Sequence, residues 1–108
     1  MKDIDSYADW TATTMTPEVV ANEGQYITAG FVGEVGELFS ALAKFHRKDY
    51  SLMAVRSMIF KELGDIGWFW VRLCRYYGYD PSEVLQGNME KLESRMLRNR
   101  IQGSGDDR

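Results

Sequence analysis

Between residues 31 and 73 apolar side chains recur in steps of three and four: Phe31, Val35, Leu38, Leu42 and Phe45, then Ile59, Leu63, Ile66, Trp70 and Leu73. That period lines them up along one stripe of an α-helix. The spacing predicts one long helix over residues 25–47 and a second over residues 53–77, joined by the polar turn HRKDYS. Gly78 suits a left-handed helix end. Asp80, Pro81 and Glu83 then read as the N-cap, first and third positions of a further helix reaching about residue 100. Upstream, residues 4–14 form a weaker helix carrying Tyr7 and Trp10, and TTMTPEVVANEG is a connector broken by Pro17 and its threonines. No stretch alternates in the manner of a strand. The expected fold is all-α, an antiparallel bundle of about four helices, forming a single domain over residues 1–102 with a disordered polar tail at 103–108.

Polar residues interrupt this pattern in a regular way. Glu34 and Glu37 lie beside the first stripe, Glu62 and Asp65 beside the second, each pair spaced i, i+3 and so on one helix face. Shifting the first segment by 28 residues superimposes Phe31 on Ile59, Glu34 on Glu62, Val35 on Leu63, Glu37 on Asp65 and Phe45 on Leu73 without a gap. The acids thus hold the same angle to the stripe on both helices, and an antiparallel pairing through the stripes lets all four converge. Their neighbours on that side, Gly30, Ala41, Met58 and Phe69, are not those of a fully solvated face. Crowded carboxylates repel unless a cation holds them, and a hard divalent ion such as Mg²⁺ prefers oxygen ligands. Gly30, Gly33 and Gly36 each lower helix stability by about 1 kcal/mol relative to alanine. Three in one helix imply a close approach by another backbone or a ligand.

Composition narrows the class. A chain of 108 residues, 44% hydrophobic and 27% charged, is one globular domain. Its net charge of −3 argues against a general binder of polymeric nucleic acid. The N-terminus lacks the apolar run of a signal peptide, IGWFWV is cut by Arg72 far short of a membrane span, and the single Cys74 excludes an intrachain disulfide framework. The expected location is the cytoplasm. Basic residues gather at the C-terminal end as Lys91, Arg95, Arg98 and Arg100. Trp68 and Trp70 read as packing residues, His46 as a surface residue without a nucleophile nearby, and Cys74 as a small buried hydrophobe.

The pattern E-x-x-E, a spacer of 24 residues, then E-x-x-D, within AGFVGEVGEL and KELGDIGWFW and followed by GNMEKLESR, resembles the MazG-like nucleotide pyrophosphohydrolases of the all-α NTP pyrophosphatase superfamily. The resemblance covers residues 26–95. It implies that Glu34, Glu37, Glu62 and Asp65 bind Mg²⁺, with Mn²⁺ a possible substitute, and are the catalytic acids. Water would then cleave between the α and β phosphates of a (deoxy)nucleoside triphosphate, releasing the monophosphate and pyrophosphate. The resemblance further implies that Lys91 and Arg95, with Asn88 one turn earlier, contact phosphates, and that Trp10 lies where a base would stack. The family often carries a lysine one turn before the second acid pair; Met58 stands there instead, leaving Lys44 or Lys48 as substitutes. A homo-oligomer is implied, a tetramer before a dimer, with a small-molecule nucleotide as partner and no membrane. The rival expectations are a non-catalytic helical interaction module and a same-fold hydrolase of dUTP, dCTP or nucleoside diphosphates.

Overall fold

A computed structural model describes residues 1–99 and 101–108; Arg100, one of the clustered basic residues, lies outside the described set. Among the described residues five α-helices follow one another: α1 (Ile4–Thr11), α2 (Pro17–Ala21), α3 (Glu23–His46), α4 (Leu52–Tyr76) and α5 (Pro81–Leu97), with a 3₁₀ turn (Ala12–Thr14) after α1. No strand occurs among the described residues. The all-α expectation holds. The connector upstream of α3 contains a short helix of its own, because the Thr16 side chain accepts a hydrogen bond from the Val19 amide and Pro17 occupies the first turn, where it lacks no needed donor.

Capping chemistry sets most boundaries. Asp3 and Ser6 form a capping box on α1, and Asp80 and Glu83 form another on α5. Ser51 starts α4 by accepting from the Ala54 amide. Gly78 ends it at φ 83°, allowing the Tyr79 amide to reach the Cys74 carbonyl at 2.9 Å. The turn between α3 and α4 places Lys48 at φ 65° and returns the Asp49 amide to the Lys44 carbonyl at 3.0 Å. So short a turn folds α4 back along α3, and this antiparallel hairpin is the body of the molecule.

The hairpin buries Ile27 and Ala41 of α3 and Val55, Phe69, Val71 and Cys74 of α4, together with Ala8 of α1. Most of the apolar stripe is only half-buried, and Leu63, placed on the stripe by its spacing, is 55% exposed. Two helices can cover only one side of each other. Val32, Phe39, Met53 and Phe60 are also left to solvent. A compact chain of this length has a radius of gyration of about 13 Å; here it is 17.1 Å.

Two arginines of α4 dock the remaining helices. Arg72, nearly buried, donates to the Ala8 carbonyl and Thr11 hydroxyl of α1, both at 3.3 Å, and pairs with Glu23 of α3 at 3.4 Å. Arg75 pairs with Asp9 of α1 at 2.9 Å and with Asp80, the cap of α5, at 2.7 Å. Asp5 of α1 in turn accepts from the Ser82 amide at 2.9 Å and from the Ser82 hydroxyl. The first turn of α5 is therefore held to α4 by an ion pair and to α1 by hydrogen bonds to a carboxylate.

Close approach explains two of the helical glycines. A Cβ at Gly30 would land on the ring of Phe69, and one at Gly24 on the hydroxyl end of Tyr76. Gly33 and Gly36 face open space within the chain. Gly30→Ala should therefore destabilise the fold by about 1–3 kcal/mol, the usual range for overpacking. Gly87→Ala, on an open face of α5, should gain up to about 1 kcal/mol from helix propensity. Denaturant melts of both variants check the pair; a stabilised Gly30→Ala would show that the ring yields.

Candidate active site

The acids meet where the middle of α3 crosses the middle of α4. Glu34, Glu62 and Asp65 each bring a carboxylate oxygen within 4.8 Å of the others. Glu34 and Glu62 are half-buried and Asp65 is exposed, so the cluster opens on one side. Glu37, one turn along α3, is exposed and outside this group, yet near enough for its charge to act on Glu34. The flanking residues that marked this as an unusual face are indeed covered: Ala41 and Phe69 are buried, Gly30 and Met58 half-buried.

The electrostatics follow from that crowding. The Glu34 carboxyl is pushed up from 4.5 to about 7, first because it shares a hydrogen bond with Glu62, then because burial and the charges of Asp65, Glu62 and Glu37 disfavour its ionised form. One oxygen of Glu62, Oε2, is buried with no hydrogen-bond partner. A buried carboxylate oxygen without a donor is costly, and a cation is a natural partner for it. The donor set is all oxygen, which suits Mg²⁺ or Mn²⁺ rather than a thiophilic metal.

A cleft of 340 Å³ opens beside the cluster, with Glu34 and Asp65 in its wall. Its other walls are Thr14, Tyr26, Trp68 and Phe69. The Trp68 indole N–H donates to the Thr14 hydroxyl at 2.9 Å, which itself donates to the Thr11 carbonyl at 2.7 Å. Tyr7 of α1 also lies near enough to Asp65 for that charge, after burial, to raise its phenol. Apart from Phe69, a neighbour of the acids in the sequence pattern, none of these residues stands out in the sequence as part of a site. Trp68 in particular reads as packing, since only the fold shows that one side of it faces the acids.

The remaining sequence-derived site residues have contacts of their own. Lys91 and Arg95 both reach Asp106 of the C-terminal segment, at 3.1 and 3.3 Å, and Arg95 also donates to the Asp106 carbonyl at 2.6 Å. Arg95 is buried beneath this contact, 4% exposed, while Asn88 is exposed on the same helix. The two cations hold the Asp106 carboxyl below its ordinary range, Lys91 foremost. Trp10 is 56% exposed, stacked on Tyr7 at 5.9 Å, and lines a separate hollow with Met1, Lys2 and Ser6. Lys44 lies 6.0 Å from the Tyr50 ring, at the far end of the hairpin.

The sign of the Glu34 shift predicts a stability profile. A carboxyl raised from 4.5 to about 7 lets the folded state hold a proton that the unfolded chain has released. Stability without divalent metal is thus greatest below pH 4.5 as far as this group is concerned, falls as pH rises from there through about 7, and levels off above. Glu34→Gln should flatten the decline, and Mg²⁺ should raise the melting temperature more at pH 8 than at pH 5. Melting curves in chelator across that range check both statements; an unchanged profile in the variant would remove Glu34 as the source.

A profile of the MazG nucleotide pyrophosphohydrolase domain matches residues 22–97, which include the acid cluster, the lining of the cleft from Tyr26 onwards and most of α5. The chain is also similar to "Gene 37 protein" of Mycobacterium phage L5, with 39% identity over 85 residues, spanning 77% of this chain and 75% of that protein. No solved structure matches the chain.

Proposed function

Given that the chain belongs to the MazG nucleotide pyrophosphohydrolase domain family, we propose that it hydrolyses nucleoside triphosphates, deoxynucleotides among them, to the monophosphate and pyrophosphate with Mg²⁺. The observation that carries the reading is the group formed by Glu34, Glu62 and Asp65: three carboxylates held within 4.8 Å by two helices. They stand beside a cleft large enough for part of a small ligand.

In this reading Glu34, Glu62 and Asp65 hold the metal, and Glu37 completes the set from the next turn of α3. The ion, when bound, neutralises phosphate oxygens and acidifies water. The chain's own contributions are positional. Glu62 offers an oxygen that nothing else in the fold satisfies. Glu34, whose carboxyl is raised to about 7 by Glu62, burial and the neighbouring charges, would hold a cation in its deprotonated form. A carboxylate oxygen not engaged with the ion accepts the proton of the attacking water. Lys91, Arg95 and Asn88 supply contacts to the phosphates, and that Lys91 and Arg95 together already grip one anion, the Asp106 carboxylate, supports this role.

Assembly belongs to the same proposal. Val32 and Phe39 flank the open glycines Gly33 and Gly36 on α3, while Phe60 and Leu63 flank Gly64 on α4. An open hairpin with these faces in water is half of a bundle. A second copy of the chain covers them, in a homotetramer or, next, a dimer. Phe69 and Val71 of the apolar run IGWFWV are not part of this surface, since both are already buried within one chain.

The purified protein should release pyrophosphate from at least one deoxynucleoside triphosphate with Mg²⁺ and none in chelator. Glu62→Gln should lower kcat by roughly a hundredfold or more, and Lys91→Ala should weaken transition-state binding by about 1.5–3 kcal/mol. Release of single orthophosphates would overturn the cut, and failure to act on any nucleotide would favour a non-catalytic helical module. Light scattering should give a multiple of the 12.4 kDa chain mass; a monomer at micromolar concentration would refute the assembly.

A further inference from the structure

The cations of α5 are already engaged by the chain's own C-terminal segment. Lys91 Nζ donates to Asp106 Oδ1 at 3.1 Å, and Arg95 Nη2 donates to the same oxygen at 3.3 Å. Nη2 also donates to the Asp106 carbonyl at 2.6 Å and to the Gly105 carbonyl at 3.5 Å. A carboxylate oxygen shared by an ammonium and a guanidinium makes the contacts that a phosphate oxygen makes with such a pair. The backbone turns back to reach this place: Asn99, Gly103 and Gly105 take φ of 56°, 138° and 85°. Glycine adopts such angles without the steric cost of a side chain. Arg98 holds the returned segment by donating to the Arg108 carbonyl at 2.8 Å, and Arg108 donates to the carbonyls of Gly105 at 2.6 Å and Ile101 at 3.0 Å. Residues 101–108 thus form a hook that closes on α5.

Two features make the closed hook displaceable. The Asp106 side chain is 82% exposed although the Arg95 side chain beneath it is 5% exposed, and an ion pair open to water on one side is weak. The hook also leaves Arg95 incompletely satisfied: its contacts fall on Nη2, while the buried Nε has no hydrogen-bond partner. A phosphate carries several acceptor oxygens and can engage Nε and Nη2 side by side, which a single carboxylate oxygen does not do. Granted the phosphate role of Lys91 and Arg95, on which the idea rests, we propose that residues 101–108 are an internal competitor of the substrate. Asp106 occupies the two cations in the resting chain, and the polyphosphate of the substrate must displace it to bind. A group tethered this closely acts at an effective concentration of about millimolar. Closure therefore lowers the apparent affinity for phosphates in proportion to the fraction of molecules that stand open. The hook sets substrate affinity from outside the acid cluster, and a change that holds it open activates the protein at low substrate.

The test uses the full chain with Mg²⁺ and two readouts: the calorimetric Kd of inorganic tripolyphosphate, and KM and kcat for pyrophosphate release from a deoxynucleoside triphosphate. Asp106→Asn, a surface change, should lower both Kd and KM by about three- to tenfold and leave kcat unchanged. Asp107→Asn removes the same charge from a residue that pairs with neither Lys91 nor Arg95 among the described residues, and should alter neither value. In a Lys91→Ala background the gain from Asp106→Asn should shrink, since one of the two cations that the hook occupies is gone. Equal or weaker tripolyphosphate binding in Asp106→Asn would overturn the proposal and make the hook a support of α5. An equal gain from Asp107→Asn would overturn it too, by showing that general charge is the cause. If the unmodified protein releases no pyrophosphate from any nucleotide, the parent reading fails and the tripolyphosphate Kd alone decides the hook. Tripolyphosphate binding to neither the unmodified protein nor Asp106→Asn would then refute it.

Discussion

Carboxylates placed within a few ångströms of one another on a partly dry surface repel, and the fold that brings Glu34, Glu62 and Asp65 together carries that repulsion where α3 crosses α4. The chain accommodates it in two ways. Glu34 retains its proton towards neutral pH, and the cluster stays open on the Asp65 side, where water or a cation can reach it. Neither device provides a partner for the buried oxygen of Glu62. Strain of this kind is what selection for stability alone would remove, and it marks the crossing as a candidate functional site.

The rest of the architecture serves to hold α3 and α4 at that crossing. The short turn through Lys48 fixes their antiparallel register, and register decides whether residue 34 meets residue 62 at all. Arg72 and Arg75 then tie α1 and the start of α5 to α4 by charge-assisted hydrogen bonds. These contacts bring Thr14 and Tyr7 to the edge of the acid cleft. Arg72, which in the sequence merely interrupts an apolar run, is a pillar of the site because its guanidinium reaches two other helices.

The apolar inventory is unfinished within one chain. A hairpin of two long helices has two faces, and only one is covered here; Phe39 and Phe60 remain in water at 64% and 79% exposure. The extended radius of gyration expresses the same shortage of partners. Glycines facing nothing on those sides leave room for close approach by another helix. The same two helices carry both the acids and the uncovered apolar residues.

The sequence by itself determined what depends on near neighbours along the chain. Helix periodicity, the caps at Asp80 and Gly78, the i, i+3 acid pairs and their repeat after 28 residues are local facts, and the family resemblance rests on the same residues. The short helix Pro17–Ala21 has no sequence signal beyond Thr16 and Pro17, which read equally as breakers of the connector. What only the tertiary structure decided depends on which side of each helix meets another. It separates Glu37 from the three acids that meet, leaves Leu63 in water, and turns Trp68 towards the acids while placing Trp10 in a different hollow. It also brings Asp106 onto Lys91 and Arg95. Periodicity gives the angle of a side chain about its own helix axis; the contacts it makes are fixed only when the axes cross.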